Sequence, residues 1–242
     1  MRALGITASG RIGNTWTPAN LASLRLWLDA SDAGTITMSG GRIATWTDLS
    51  GQGNTVSGGS GPTRTVTQNG RLVATFAAGD VLKRSGTGLM PSAGSIALVM
   101  RSGTPVPGYM GQPVNLTASN MPRPADHWQD ADLNAMWSGD GGDPALSTSW
   151  HDLRSHVGWC SLVTTRSGAG QASQHRDGSL LHSATWGGGW SVAAQVLCIG
   201  ARDDGVVSWV GDLAEAVVTD TVMSGAEISA WTDYCRDKWG TP

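Results

Sequence analysis

Leu24-Arg25-Leu26-Trp27-Leu28-Asp29-Ala30 and, further on, Trp46-Thr47-Asp48-Leu49-Ser50-Gly51-Gln52-Gly53-Asn54 decide the fold class. The first stretch alternates apolar and polar residues, as a half-buried β-strand does. The second is a strand end that runs into a turn of Gly, Ser and Asn. Between them, residues 35–46 read as strand, a Ser39-Gly40-Gly41-Arg42 turn, and strand, which is a β-hairpin. Working outward, strands are expected at 24–29, 43–47, 71–76, 95–100, 159–166, 171–176, 179–184, 196–201 and 209–219, packed as two antiparallel sheets face to face. Residues 52–70, rich in Gly, Ser and Thr, read as a surface loop.

At the far end, Gly200-Ala201-Arg202-Asp203-Asp204-Gly205 leads into Trp209-Val210-Gly211-Asp212-Leu213-Ala214-Glu215-Ala216-Val217-Val218. A helix is expected over 225–239. Ser224 can cap it and Glu227 can reciprocate three residues later. Ile228, Trp231 and Cys235 share one face, Arg236 and Lys238 suit the negative end of the helix dipole, and Gly240 supplies a left-handed stop. These opening and closing patterns, with Leu162-Val163-Thr164-Thr165-Arg166 and Arg176-Asp177-Gly178 between them, resemble the laminin-G-like, concanavalin A-like jelly rolls found in phage structural proteins and bacterial surface proteins. The resemblance covers residues 16–85 and 155–240. It implies an all-β, two-sheet antiparallel jelly-roll sandwich with one short C-terminal helix, and a binding or scaffolding role. It also implies that Glu215 is a structural acid, hydrogen-bonded near the sheet edge. Residues 103–150 fall outside it. Six of the ten prolines lie there, so that segment reads as long loops with short strands laid over one face or end of the sandwich.

Composition agrees. A chain of 242 residues is within the range of one all-β domain, 40% apolar residues suffice for a sizeable core, and 34 glycines, about twice the usual share, fit many tight turns. Net charge is -3 with no basic stripe, which argues against nucleic-acid binding by phosphate neutralisation. The three cysteines, Cys160, Cys198 and Cys235, have long spacings and no CxxC, and read as buried thiols suited to a reducing cytoplasm. A Cys160–Cys198 bridge is the alternative. Residues 1–10 carry no apolar core of a signal peptide, and no apolar run is long enough to span a membrane. Residues 1–15 form a Gly- and Ser-containing arm with little to bury, read as an assembly contact to other subunits; residues 16–242 form the sandwich.

Aromatic usage is lopsided, with 12 Trp against 2 Tyr and 1 Phe. Trp27, Trp46, Trp159, Trp209, Trp231 and Trp239 read as core. Trp128, Trp137, Trp186 and Trp190 lie in turn-rich segments. There an indole can stack on the apolar face of a sugar ring. Trp128, Trp186 and Trp190, with Asp126 and His127, are the candidate carbohydrate contacts. No cofactor is expected. Calcium is the metal best suited to the chain, at Asp140, Asp143, Asp203 and Asp204 beside glycines, although Asp next to Gly is first a turn signal. His127, His151, His156, His175 and His182 are scattered, with His175 and His182 flanking the Asp177-Gly178 turn.

Glycan-cleaving relatives of this fold place two carboxylates at alternate positions of one strand. Here Asp212 and Glu215 are an odd number apart and on a regular strand point to opposite faces. Phosphate-loop, nucleophile-elbow and zinc-protease motifs are absent. The expectation is therefore a non-enzymatic phage virion protein (a capsid fibre, head decoration or tail-associated module), assembled in the host cytoplasm as a multicopy or homo-oligomeric particle component. It would contact other virion subunits and host-surface glycans, without nucleic-acid binding or membrane insertion. The alternatives are a bacterial carbohydrate-binding surface protein and a glycan hydrolase of the same fold.

Overall fold

The computed structural model describes residues 15–89, 93–102, 114–117, 123–129, 134–139, 158–168, 171–185, 196–201 and 208–242. In chain order these form β1 (Leu24–Asp29), β2 (Ile36–Ser39), β3 (Arg42–Trp46), β4 (Val56–Ser60), β5 (Thr67–Gln68), β6 (Arg71–Leu72), β7 (Ala74–Phe76), β8 (Val81–Arg84), β9 (Gly94–Ser102), β10 (Val114–Thr117), β11 (Arg123–Gln129), β12 (Asn134–Gly139), β13 (Cys160–Arg166), β14 (Gln171–Arg176), β15 (Ser179–Thr185), β16 (Val196–Ile199), β17 (Gly211–Thr219) and the helix α1 (Gly225–Trp239). The larger sheet runs β1-β17-β9-β13-β14-β15, with β7 also paired to β17. The smaller runs β10-β16-β8-β4-β3-β2. Every strand pairing is antiparallel. The expected two-sheet antiparallel sandwich with a C-terminal helix is the fold observed.

The core has two layers because the larger sheet is covered on both faces. On its inner face Leu26, Leu28, Ile96, Leu98, Leu213, Ala216 and Val218 meet Ile43, Trp46, Leu82 and Ile199 of the smaller sheet. On its outer face Ala97, Val99, Val163, Ala214 and Val217 meet Ile228, Trp231, Tyr234, Cys235 and Trp239 of α1. Each Leu, Ile or Val among them contributes roughly 1.5–3 kcal/mol on removal from water. β17 lies between β1 and β9, and all nine of its residues are buried. α1 begins and ends as its sequence predicts. Ser224 Oγ accepts from Glu227 N at 3.3 Å, Glu227 Oε2 accepts from Ser224 N at 2.8 Å, and Gly240, at φ 67°, donates to Arg236 O at 3.0 Å.

The turn after β3 owes its sequence to one carboxylate. Asp48 Oδ1 accepts from Trp27 N at 2.9 Å and Ser50 N at 2.8 Å; Oδ2 accepts from Ser50 Oγ at 2.6 Å and Asn54 N at 2.9 Å. Asn54 Nδ2 donates to Arg25 O at 2.5 Å, and Ser50 Oγ lies 3.0 Å from the same oxygen. The opening motif is thus a loop stapled to the backbone of β1. Gly51 and Gly53 take φ of 78° and 72°, where a side chain is strained.

A second carboxylate joins the helix to the sheet. Glu215 has no solvent exposure, and its carboxyl accepts four hydrogen bonds. Trp27 Nε1 (2.6 Å) and Tyr234 OH (2.8 Å) donate to Oε1; Trp239 Nε1 (2.6 Å) and Lys238 Nζ (3.0 Å) donate to Oε2. Lys238 Nζ also donates to Asp29 Oδ2 at 2.6 Å and to Tyr234 OH at 2.7 Å. Burial pushes the Glu215 carboxyl above the usual carboxylate range, while the Lys238 ammonium and the indole of Trp239 pull it back. Burial and the neighbouring Glu215 push the Tyr234 phenol upward. Glu215 is therefore structural, on the strand beside the edge strand β1, whose Trp27 bonds it.

Several strands were not legible. β4 falls within the expected loop 52–70, β8 was not foreseen, and 71–76 is split into β6 and β7 at Val73. Val56-Ser57-Gly58-Gly59-Ser60 has one large apolar residue and so no alternation to detect. Its Gly58 is required by proximity, since a Cβ there would lie 2.4 Å from Val81 O of β8. β10, β11 and β12 are the short strands of the proline-rich segment. No disulfide joins Cys160, Cys198 and Cys235. Of the arm, residues 1–14 lie outside the described residues; just beyond it, Trp16 meets Tyr234 edge-on at 5.8 Å between ring centroids.

Two substitutions test these staples. Asp48→Ala strands buried donors on β1 and in the turn, and is expected to lower unfolding free energy by about 3 kcal/mol in urea titration. Glu215→Gln keeps the shape but turns an amide N–H₂ toward donors and leaves Lys238 short of a counter-charge. A loss of about 3–5 kcal/mol is expected, read from the urea midpoint at unchanged slope. A third measurement concerns Cys160, whose thiol is pushed up to about 12, chiefly by burial. Iodoacetamide at pH 8 should label it in the native protein far more slowly than after unfolding.

Candidate functional site

Of the expected carbohydrate contacts, Asp126, His127 and Trp128 are placed by their backbone in β11, where Asp126 pairs with Trp137, His127 with Met136 and Trp128 with Ala135 of β12. Trp128 and Trp137 therefore belong to paired strands, not to turns. The prolines hid the hairpin. Pro124 sits in the register shift between Arg123 and Asp126, a place where a strand tolerates proline. Trp186 and Trp190, the calcium candidates Asp140, Asp143, Asp203 and Asp204, and His151 and His156 lie outside the described residues. Among the described residues no three His, Cys, Asp or Glu side chains gather into a metal site. His175 and His182 are not directly opposite: His175 pairs with Leu180, and His182 with Gln174, across a register shift.

Asp212 and Glu215 do not obey the simple alternation. Opposite β9, Asp212 pairs with Arg101, Leu213 with Met100 and Glu215 with Val99, so Ala214 is an extra residue, a β-bulge. Ala30 N donates to Ala214 O at 2.9 Å. The bulge restores both carboxylates to the helix-bearing face. Glu215 meets α1. Asp212 accepts from Arg101 Nη2 at 2.5 Å and from Thr75 Oγ1 at 2.7 Å, with the Arg101 guanidinium 5.5 Å over the Trp159 ring. Both carboxylates are occupied by donors of the protein itself.

The same face carries a pocket of about 470 Å³ where β13, β14 and β15 run past the end of α1. It is lined by Thr165, Ser167, Gln171, Ala172, Ser173, Ser183 and Val222. The sheet register builds it, since Thr165 pairs with Ser173 and Ser173 with Ser183, a row of hydroxyls across three strands. Thr165 Oγ1 and Ser173 Oγ are 2.6 Å apart, and Ser173 Oγ is 3.1 Å from His175 Nε2. Ser167 Oγ accepts from Gln171 N at 3.1 Å, which fixes the β13–β14 end. Burial lowers the His175 imidazole, favouring its neutral form. Val222, 40% exposed, forms an apolar wall on the segment leading to α1.

Neutral hydroxyl and amide groups, each able both to donate and to accept, are what this lining offers. None of these residues is among the sites expected from the sequence. The available signal was the polar run at alternate positions, Gln171, Ser173 and His175, beside Thr165: a strand face that an apolar core would not use.

No family model matches the chain, and no curated protein sequence matches it. Solved structures do. Trypanosoma rangeli sialidase in complex with sialic acid is similar over 99% of this chain and 36% of its own, with a TM-score of 0.61 and 14% identity. Domain 4 of AbnA, a GH43 extracellular arabinanase from Geobacillus stearothermophilus solved in complex with arabinotriose, is similar over 87% of this chain and 98% of its own, with a TM-score of 0.52 and 15% identity. The binding domain of Paraclostridial Mosquitocidal Protein 1 is similar over 93% of this chain and 56% of its own, with a TM-score of 0.60 and 12% identity. The chain thus spans 36% of the sialidase but 98% of the arabinanase domain. At such identities the likeness is one of fold. It corrects the expectation of a chain that is not an enzyme, because the similar structures include a sialidase and a domain of an arabinanase. It gives the virion reading no support, since these similar structures are glycan-active or binding proteins rather than virion components.

Proposed function

We propose that this chain is a carbohydrate-binding β-sandwich of the kind carried by glycan-active proteins. The observation behind this reading is the match over 98% of a domain solved with arabinotriose bound. Here the similarity spans nearly the whole of a domain solved with an oligosaccharide, against 36% of the sialidase. The hydroxyl-lined pocket on β13–β15 supplies a recess of fitting chemistry, and its volume lies within the range of small-molecule sites, roughly 300–1,000 Å³. Trp186 and Trp190 follow β15 in the chain, three and seven residues after Ser183. They are the stacking residues of this reading, each contributing on the order of 1 kcal/mol.

The test is affinity electrophoresis of the full chain through gels containing arabinan, xylan, galactan or pectin, paired with an assay for released oligosaccharide. Retardation by at least one polysaccharide is expected, weakened about tenfold by Trp186→Ala. Absence of retardation in every gel would overturn the reading. Steady release of oligosaccharide would show that the chain cuts what it binds.

A further inference from the structure

We infer that the pocket on β13–β15 selects an uncharged sugar over a sialic or uronic acid; this rests on the carbohydrate-binding reading and names the ligand class of that site. Among the described residues its lining is three serines, a threonine, a glutamine, an alanine and a valine, with no ionisable side chain. A sugar carboxylate seated there would exchange water for neutral groups, without the charge-assisted, bidentate partner that carboxylate sites use. A sugar hydroxyl meets the opposite situation, because each Ser, Thr or Gln head can complement either its O–H or its lone pairs.

Two further observations sharpen this. The most buried polar group of the lining is already committed: Thr165, 5% exposed, shares a 2.6 Å hydrogen bond with Ser173, which is in turn 3.1 Å from His175 Nε2. Ser173 is thereby a fixed reader with remaining capacity toward the cavity. His175 behind it is held toward the neutral form by burial. Gln171 and Ser183 are exposed at the rim and free to turn to a ligand, and Val222 offers an apolar surface to the C–H face of a ring. The sialidase solved with sialic acid shares this fold, yet a pocket of this composition favours the class of arabinotriose, a neutral oligosaccharide.

The experiment is isothermal titration of the full chain with neutral arabino-, xylo- and galacto-oligosaccharides and with the acidic sialyllactose and oligogalacturonate, repeated on Gln171→Ala and Ser183→Ala. Both substitutions are at exposed positions, and thermal melts report that each variant is folded. Binding confined to neutral oligosaccharides, with Kd raised about tenfold in each variant, is expected. A wild-type preference for the acidic sugars, or neutral binding unchanged in both variants, overturns this inference while leaving the carbohydrate-binding reading in place. No binding of either class overturns both.

Discussion

A carboxylate cut off from water, with donors from both sides, sets the geometry of the helix-bearing half of this molecule. Glu215 lies on β17, between β1 and β9 of the larger sheet. Trp27 reaches it from β1, and Tyr234, Lys238 and Trp239 reach it from α1. Apolar contact between α1 and the sheet is non-directional, and Ile228, Trp231 and Cys235 alone would accept more than one placement of the helix. Four hydrogen bonds to two oxygens accept one. Removing a charge from water is costly, and donors in this number offset that cost. What the arrangement secures is a single position for α1, and with it the position of Val222 and of the wall it gives the pocket.

The bulge at Ala214 belongs to the same constraint. Without the bulge, on a regular strand that keeps Ala214 in the ladder, Glu215 would point to the inner face with Leu213. With it, the two neighbours of the helix face, Asp212 and Glu215, both point outward, and the inner face returns to apolar residues at Ala216 and Val218. One inserted residue thus reconciles a dry core with a polar anchor on the same strand.

Much of the architecture was legible because its signals are local. Alternation marked β1, β9, β13, β14, β15 and β17 to within a residue or two, and the capping box and glycine stop marked α1. The Trp46–Asn54 motif announced a turn, although its partner, the backbone of β1, is revealed only by the hydrogen bonds of Asp48. What failed was of two kinds. Strands of small residues, such as β4, carry no hydrophobic pattern because they are defined by the close approach of a neighbour. Features that depend on register, such as the bulge and the hydroxyl row of Thr165, Ser173 and Ser183, exist only once the strands are paired. Tryptophans are conspicuous in a sequence, whereas serines that line a pocket only after strand pairing are not. The missing carboxylate pattern pointed away from an enzyme, yet this fold is also carried by a sialidase and by a domain of an arabinanase.

The pairing of β1 with β17 has a consequence for how the chain reaches this state. Trp27 and Glu215 are 188 residues apart, and Lys238 and Asp29 are 209 apart. The first strand has no hydrogen-bonded neighbour in the larger sheet until nearly the last strand exists. Closing so large a loop is entropically slow, and during synthesis β1 waits with an open edge while everything between is translated. Joining of β1 to the larger sheet is therefore a late event, after β17 has been made. Before it, the nascent protein presents an unpaired amphipathic strand to its surroundings, the kind of surface that chaperones protect and that aggregates otherwise.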